Sequence, residues 1–239
     1  MPQKVLTKEI AKQYIVDEDS VDLYEFTRID DAAAEHLSEY KGDIYLEGLV
    51  KISESSAKSL SKHKGYRLSI GLPKLNNRVA ELLSKHEGQD LTLQNLVALS
   101  GAAAEHLAEY KGDLYLYPLE KLSESAAKSL SRHKGELSLN GIKELSNPAA
   151  EALSTHEGGL SFNSLTTLSD EAAMSLANHV GNLCLNDGSC GQQALKGVSD
   201  TAAESLSRKN GEINCEPPIK WAKKYNKIRF CSISTNSAR

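Results

Sequence analysis

The stretch Leu137-Ser138-Leu139-Asn140-Gly141-Ile142-Lys143-Glu144-Leu145-Ser146-Asn147-Pro148-Ala149-Ala150-Glu151-Ala152-Leu153-Ser154-Thr155-His156-Glu157-Gly158 holds one complete structural unit. Leu137 and Leu139 flank Ser138 in the alternation of a short strand with one buried face. Ile142 and Leu145, three residues apart, carry the chain across a core. Ser146 is a helix-capping residue, placed to accept hydrogen bonds from the free N–H groups of a first helical turn. Pro148 falls in that turn, where its missing amide costs little. Ala149, Ala150 and Leu153 then share one helical face. His156 and Gly158 close the unit, the glycine being expected to supply a left-handed helix terminus.

The unit recurs through most of the 239 residues. Glycines at 42, 65, 88, 112, 135, 158, 181 and 211 follow one another at intervals of 23, 23, 24, 23, 23, 23 and 30 residues. Twelve residues before each stands a capping type: Asp30, Ser53, Asn76, Ser100, Ser123, Ser146, Ser169 and Ser199. Thr7 extends the frame backward to a first helix, so nine helices are expected in one register. Val21, Leu23, Phe26 and Ile29 repeat the strand pattern in a degenerate first unit. A longer repeat overlies the short one. AAAEHLSEYKGDIYLEGL from Ala32 returns as AAAEHLAEYKGDLYLYPL from Ala102, seventy residues on, which points to duplication of a three-unit block.

Composition agrees with thin, repeated packing. Hydrophobic residues make up 40% of the chain but aromatic residues only 5%, so the core is built from Leu and Ala rather than large rings. The net charge of −4 offers no basic surface for nucleic acid. No apolar run is long enough to span a membrane, and no signal-peptide core follows Met1. The expected setting is the cytoplasm, or export by a route that needs no such signal.

A strand-plus-helix unit of about two dozen residues resembles the bacterial leucine-rich repeats. The resemblance covers residues 7–215. In that family a strand reads L-x-x-L-x-L-x-x-N; here the asparagine slot holds Leu49, Leu96, Leu119, Ile142 or Leu165. The expected fold class is therefore α/β: a right-handed solenoid of leucine-rich-repeat type. Strands stack about 4.8 Å apart while helices need about 10 Å, so the parallel sheet should line the concave face and short helices the convex one. Residues 1–215 form the solenoid, with a helix at 7–18 capping its start, and residues 216–239 form a C-terminal cap or basic tail. Repeat proteins of this kind act mostly as protein-binding scaffolds, and the resemblance implies that role here.

The middle residue of each Leu-x-Leu should point out of the core onto the open sheet face. That row reads Asp22, Tyr45, Ser69, Thr92, Tyr115, Ser138, Ser161, Cys184 and Asn214. The row after the strand adds Tyr24, Glu47, Gln94, Tyr117, Asn140, Asn163 and Asn186. The row before it is mostly acidic, with Asp43, Asp90, Asp113 and Glu136. Exposed tyrosines join apolar area to a hydrogen-bonding tip and anchor interfaces well, though strand surfaces also favour them for their own sake. Tyr24, Tyr45, Glu47, Tyr115, Tyr117, Asp43 and Asp113 are the candidate partner-binding residues, and a basic protein segment suits them.

The long last interval places an insertion near Asp187, Ser189 and Cys190, a second candidate site. Beyond Cys215, Pro217 and Pro218 end the repeat, and lysines accompany Trp221 and Tyr225. A file of His63, His86, His133, His156 and His179 occupies the slot two residues before the glycines, with Tyr40 and Tyr110 in the same slot. Because tyrosine substitutes there without accompanying ligands, the file reads as helix-end packing; no metal and no cofactor are expected. No nucleophile elbow or phosphate-binding loop is present. The expected function is a non-enzymatic protein-binding scaffold. The alternatives are a purely structural or surface repeat segment of a larger protein, and an enzyme with an unfamiliar site near the 187–193 loop.

Overall fold

A computed structural model describes residues 4–185, 195, 198–214, 220 and 222. The inserted loop with Asp187, Ser189 and Cys190, Asn186, and nearly all of the C-terminal basic segment lie outside the described residues.

The protein is α/β. It opens with strand β1 (Val5–Leu6), helix α1 (Lys8–Val16), two 3-10 turns (Glu18–Ser20 and Leu23–Glu25) and strand β2 (Arg28–Ile29). Strands and helices then alternate: α2 (Asp31–Leu37), β3 (Ile44–Leu46), α3 (Glu54–Leu60), β4 (Arg67–Gly71), α4 (Asn77–Leu83), β5 (Asp90–Gln94) and α5 (Gly101–Leu107). They continue through β6 (Asp113–Leu116), α6 (Glu124–Leu130), β7 (Leu137–Ser138), α7 (Asn147–Leu153), β8 (Leu160–Phe162), α8 (Asp170–Ala177), β9 (Leu183–Leu185) and α9 (Asp200–Ser207). β3 to β9 form one seven-stranded parallel sheet in sequence order, and β1 pairs with β2 separately. Each helix packs on the next one in the chain.

Register follows the leucines. Ile44, Leu68, Leu91, Leu114, Leu137, Leu160 and Leu183 are successive partners across the sheet, each fully buried or nearly so. The helices answer with paired alanines such as Ala33–Ala34, Ala103–Ala104 and Ala149–Ala150, all buried. Small side chains there let helices stack in line with strands. The buried apolar residues form one continuous cluster from Leu6 to Ala222.

The caps are made as the sequence predicts, with one exception. Asp30, Ser53, Asn76, Ser100, Ser123, Ser146, Ser169 and Ser199 each accept from the backbone N–H three residues on. Thr7 makes no such bond. Several caps also tie neighbouring units together: Ser169 Oγ donates to Asn147 Oδ1 at 2.6 Å, and Ser100 Oγ to Asn77 Oδ1 at 3.2 Å. Replacing Ser169 with Ala therefore removes a cap and an inter-unit bond and should cost about 1–2 kcal/mol in urea unfolding. Thr7→Ala should cost distinctly less; equal losses would contradict the cap assignment.

Expectations for the first unit and for the glycine column are corrected. The degenerate first unit has no strand at Val21 to Leu23. The Asp22 carboxylate accepts from the Tyr24 N–H at 2.9 Å and folds the segment into a 3-10 turn, so Asp22 does not join the strand-face row. Leu23, Phe26 and Ile29 are nevertheless buried as the pattern required. The N-terminal helix is Lys8–Val16, shorter than 7–18, with Ala11 and Tyr14 buried against the core.

The second correction concerns the glycines. Among the described glycines only Gly211 has a positive φ, +85°. Helices α2 to α7 end four residues before their glycine, in right-handed Ser or Ala caps, and α8 ends three before, in a right-handed Asn178 cap. The glycines are required by closeness instead. A Cβ on Gly65 would sit 2.1 Å from the Gly42 carbonyl oxygen, one on Gly135 2.2 Å from that of Gly112, and one on Gly158 2.1 Å from that of Gly135. Successive units touch backbone to backbone at this column.

Candidate functional site

The first half of the open sheet face carries the candidate site. In-register pairing sets Tyr45, Ser69, Thr92 and Tyr115 side by side on β3 to β6. Their neighbours Leu46, Ile70, Leu93 and Leu116 are fully buried, so strand alternation alone turns this row away from the core. Tyr45, Glu47, Arg67, Ser69, Thr92, Gln94, Tyr115 and Tyr117 line a cavity of about 240 Å³. Ser69 and Thr92 are small and buried; Tyr45 and Tyr115 are half-buried and rise on either side of them.

The carboxylates divide their work. Asp43 accepts from the backbone N–H of Arg67 at 3.0 Å and from the Tyr45 hydroxyl at 3.2 Å. Asp113 accepts from the backbone N–H of Glu136 at 2.9 Å. These acids thus secure the adjoining strand while lending charge to the face. Glu47 accepts from Ser69 Oγ at 2.7 Å through Oε1. Burial first, then Asp90 and Asp113, push the Tyr115 phenol up from its ordinary range, so it stays a neutral donor at physiological pH.

Arg67 is the cavity-lining residue the sequence reading missed. It stands in the otherwise acidic row between Asp43 and Asp90, and its guanidinium bonds Asp90 Oδ2 through Nε at 3.1 Å and Nη2 at 2.7 Å. Asp90 is 1% exposed, and its other oxygen, Oδ1, has no partner among the described residues. The Asp90 hydrogen bonds push Arg67 further above its already high range, so its guanidinium stays charged. The row's single change of sign was the signal that could have revealed it.

Of the predicted residues, Tyr45, Glu47, Tyr115 and Tyr117 are brought together, and Asp43 and Asp113 adjoin them through Tyr45 and Tyr115. Tyr24 lies outside the cavity wall, 53% exposed. Its phenol is raised by burial and by nearby Glu47 and Tyr45, which sets it beside the site rather than in it. Past Tyr117 the face becomes small and polar. Asn140 Nδ2 donates to the Tyr117 hydroxyl at 2.7 Å, and Asn140 Oδ1 accepts from Ser161 Oγ and the Asn163 N–H at 2.7 and 2.8 Å. Cys184 continues the row on β9, half-buried.

The histidine file lies in the interior, not at a surface. His63, His86, Tyr110, His133, His156 and His179 stack in one column with ring centroids 5.6 to 6.3 Å apart and planes nearly parallel. All five imidazoles are at most 5% exposed. His63 Nε2 meets the Gly42 carbonyl at 2.9 Å, and the Tyr110 hydroxyl donates to the Gly88 carbonyl at 2.8 Å. Lys209 ends the column in the same slot, its ammonium donating to the Gly181 carbonyl at 2.6 Å. His36 and His106 occupy one half-buried helix position in the two copies of the long repeat. Among the described residues no cluster of His, Cys, Asp and Glu is arranged to hold a metal ion, and no helix is long and apolar enough to cross a membrane.

No protein-family model matches the chain, and no curated protein is detectably similar to it.

Proposed function

We propose that the chain is a protein-interaction scaffold: a right-handed, leucine-rich-repeat-type solenoid whose concave sheet face binds another protein. The observation that carries this reading is the Tyr45–Tyr115–Tyr117 cluster. Three tyrosines, each only half-buried, converge on one cavity on a face whose middle row otherwise holds the small Ser69, Thr92, Ser138, Ser161 and Cys184. A strand surface needing only β-propensity has no reason to gather its large rings around a shared hollow. Tyrosine offers contact area at low entropic cost, and anchors of this kind carry a large share of interface energy. The curvature expected of a sheet backed by wider helices would turn this face toward an occupant.

The test is affinity capture from the native cell with the parent chain and with a Tyr45→Ala, Tyr115→Ala, Tyr117→Ala variant. Interface anchors are typically worth about 2 kcal/mol or more each, so the triple variant should lose its specific partner outright. All three positions lie on the open face, so the helical circular dichroism of the variant should match the parent. Equal recovery of the same partner by both proteins would overturn the proposal.

A further inference from the structure

We infer that the hollow between Tyr45 and Tyr115 is a trough for one arginine or lysine side chain, presented by an extended segment of a partner protein. This deepens the reading of the sheet face as the interaction surface and rests on it.

The trough is defined by the long repeat. Tyr45 and Tyr115 are the same position in the two copies of the seventy-residue block, and the two intervening units supply Ser69 and Thr92. The two rings therefore stand three strand spacings apart, about 14 Å between backbones. Subtracting the rings leaves a channel too narrow for an α-helix with its side chains, about 10–12 Å across. A single extended chain fits, and about 240 Å³ holds one long side chain rather than several. Beyond Tyr115 the row continues Ser138, Ser161, Cys184, with no second wall, so the described face forms the trough once.

The sign of the occupant follows from what lines and flanks the trough. Glu47 lines it, Asp43 and Asp113 flank it, and the one cation in its lining, Arg67, is already held by Asp90. An anion arriving there would meet a neutralised guanidinium and uncompensated carboxylates. A cation would meet the Tyr45 and Tyr115 rings, whose quadrupoles attract it, and the Glu47 carboxylate, whose Oε1 accepts from Ser69 Oγ. Arg67 itself lies along this wall, so the structure already seats a guanidinium among these groups.

The experiment uses fluorescein-labelled nonapeptides of alternating serine with arginine, lysine or glutamate, titrated with the whole chain and followed by anisotropy. The arginine and lysine peptides should bind, more weakly as salt is raised, and the glutamate peptide should not. Net charge alone would give that pattern, so the deciding variant leaves charge untouched. Thr92→Tyr places in the trough the side chain that the same row carries at Tyr45 and Tyr115. It should weaken the basic peptides at least about tenfold, as should Tyr115→Ala, through loss of the stacking surface. Ser161→Tyr, on the same row but outside the trough, should leave affinity unchanged. Binding that ignores both Thr92→Tyr and Tyr115→Ala, or a glutamate peptide that binds as well, would overturn the inference. If native-cell capture is lost in the triple tyrosine variant but kept by Thr92→Tyr, the trough is wrong and the sheet-face reading stands. Capture indifferent to every one of these changes would sink both.

Discussion

Lowering the pH from 7 to 4 is expected to unfold the chain, and the buried imidazole column is the reason. Burial holds all five histidines below their ordinary value near 6.5, with His86 and His179 down at about 4. Carbonyls and acids soften the effect in places: the Gly42 carbonyl and Asp43 face His63, and Asp113 faces His133. Lys209 and His156 sharpen it at His179, as His63 does at His86. An imidazole freed by unfolding binds a proton below about pH 6.5, whereas folded His86 and His179 refuse it until about 4. Between those values the unfolded state holds more protons, so stability falls as pH falls. The stabilisation is therefore complete above pH 6.5 and is lost by about pH 4.

The size of the effect is large for a domain of ordinary stability. A fall in proton affinity from 6.5 to about 4, at about 1.4 kcal/mol per tenfold, corresponds to about 3 kcal/mol for each of His86 and His179 by pH 4. Together they remove about 6 kcal/mol from a total that is typically about 5–15 kcal/mol, before the other three histidines contribute in the same direction. Urea unfolding followed by circular dichroism from pH 7.5 to 4 reads this as a steep drop in midpoint. His86→Gln with His179→Gln keeps polar groups of similar size but removes two titrations, and should flatten that drop by about 6 kcal/mol. A variant whose stability falls with pH as steeply as the parent's would rule out the column as the acid sensor.

The histidine column shows what was legible in the sequence and what was not. Its existence and its structural character follow from position: one slot, two residues before each glycine, filled by His or Tyr. Its stacking follows from neither His63 nor His86 alone but from the rise between units, which a linear reading does not contain. The leucine register and the caps were readable because they are local. Leu137, Leu139 and Ser146 announce strand and helix start through their own neighbours within a dozen residues. Arg67 escaped because its meaning is a relation across strands: only pairing with Asp90 makes it a site residue. Asp22 was misplaced for the opposite reason, since its own side chain bends the backbone before the strand pattern can act. The tyrosines sit where alternation predicted, yet the hollow between them depends on the smallness of Ser69 and Thr92, one and two units on from Tyr45.

The glycine column gives the sharpest contrast between a local rule and a neighbour's constraint. Gly158→Ala is expected to be among the most damaging single substitutions, although alanine is ordinarily benign. The new methyl would lie 2.1 Å from the Gly135 carbonyl oxygen, a backbone atom fixed by the preceding unit. Units would have to part along the column where His156 also stacks on His133. Overpacking of this kind costs about 3 kcal/mol or more, and at about 2–4 °C per kcal/mol the melting temperature should fall by about 6–12 °C. Gly101→Ala is the control, because a methyl there meets the movable Ser125 hydroxyl at a helix start; its effect should stay within about 1 kcal/mol. Asparagine separates the two explanations of the column. Were Gly158 a left-handed terminus, asparagine would be tolerated better than alanine. Because Gly158 is excluded by contact rather than by φ, Gly158→Asn should be at least as harmful as Gly158→Ala. At Gly211, whose φ is +85°, asparagine should instead be the milder of the two. Thermal melts of these five variants decide it, and a Gly158→Asn protein more stable than Gly158→Ala would return the column to the left-handed terminus first expected of it.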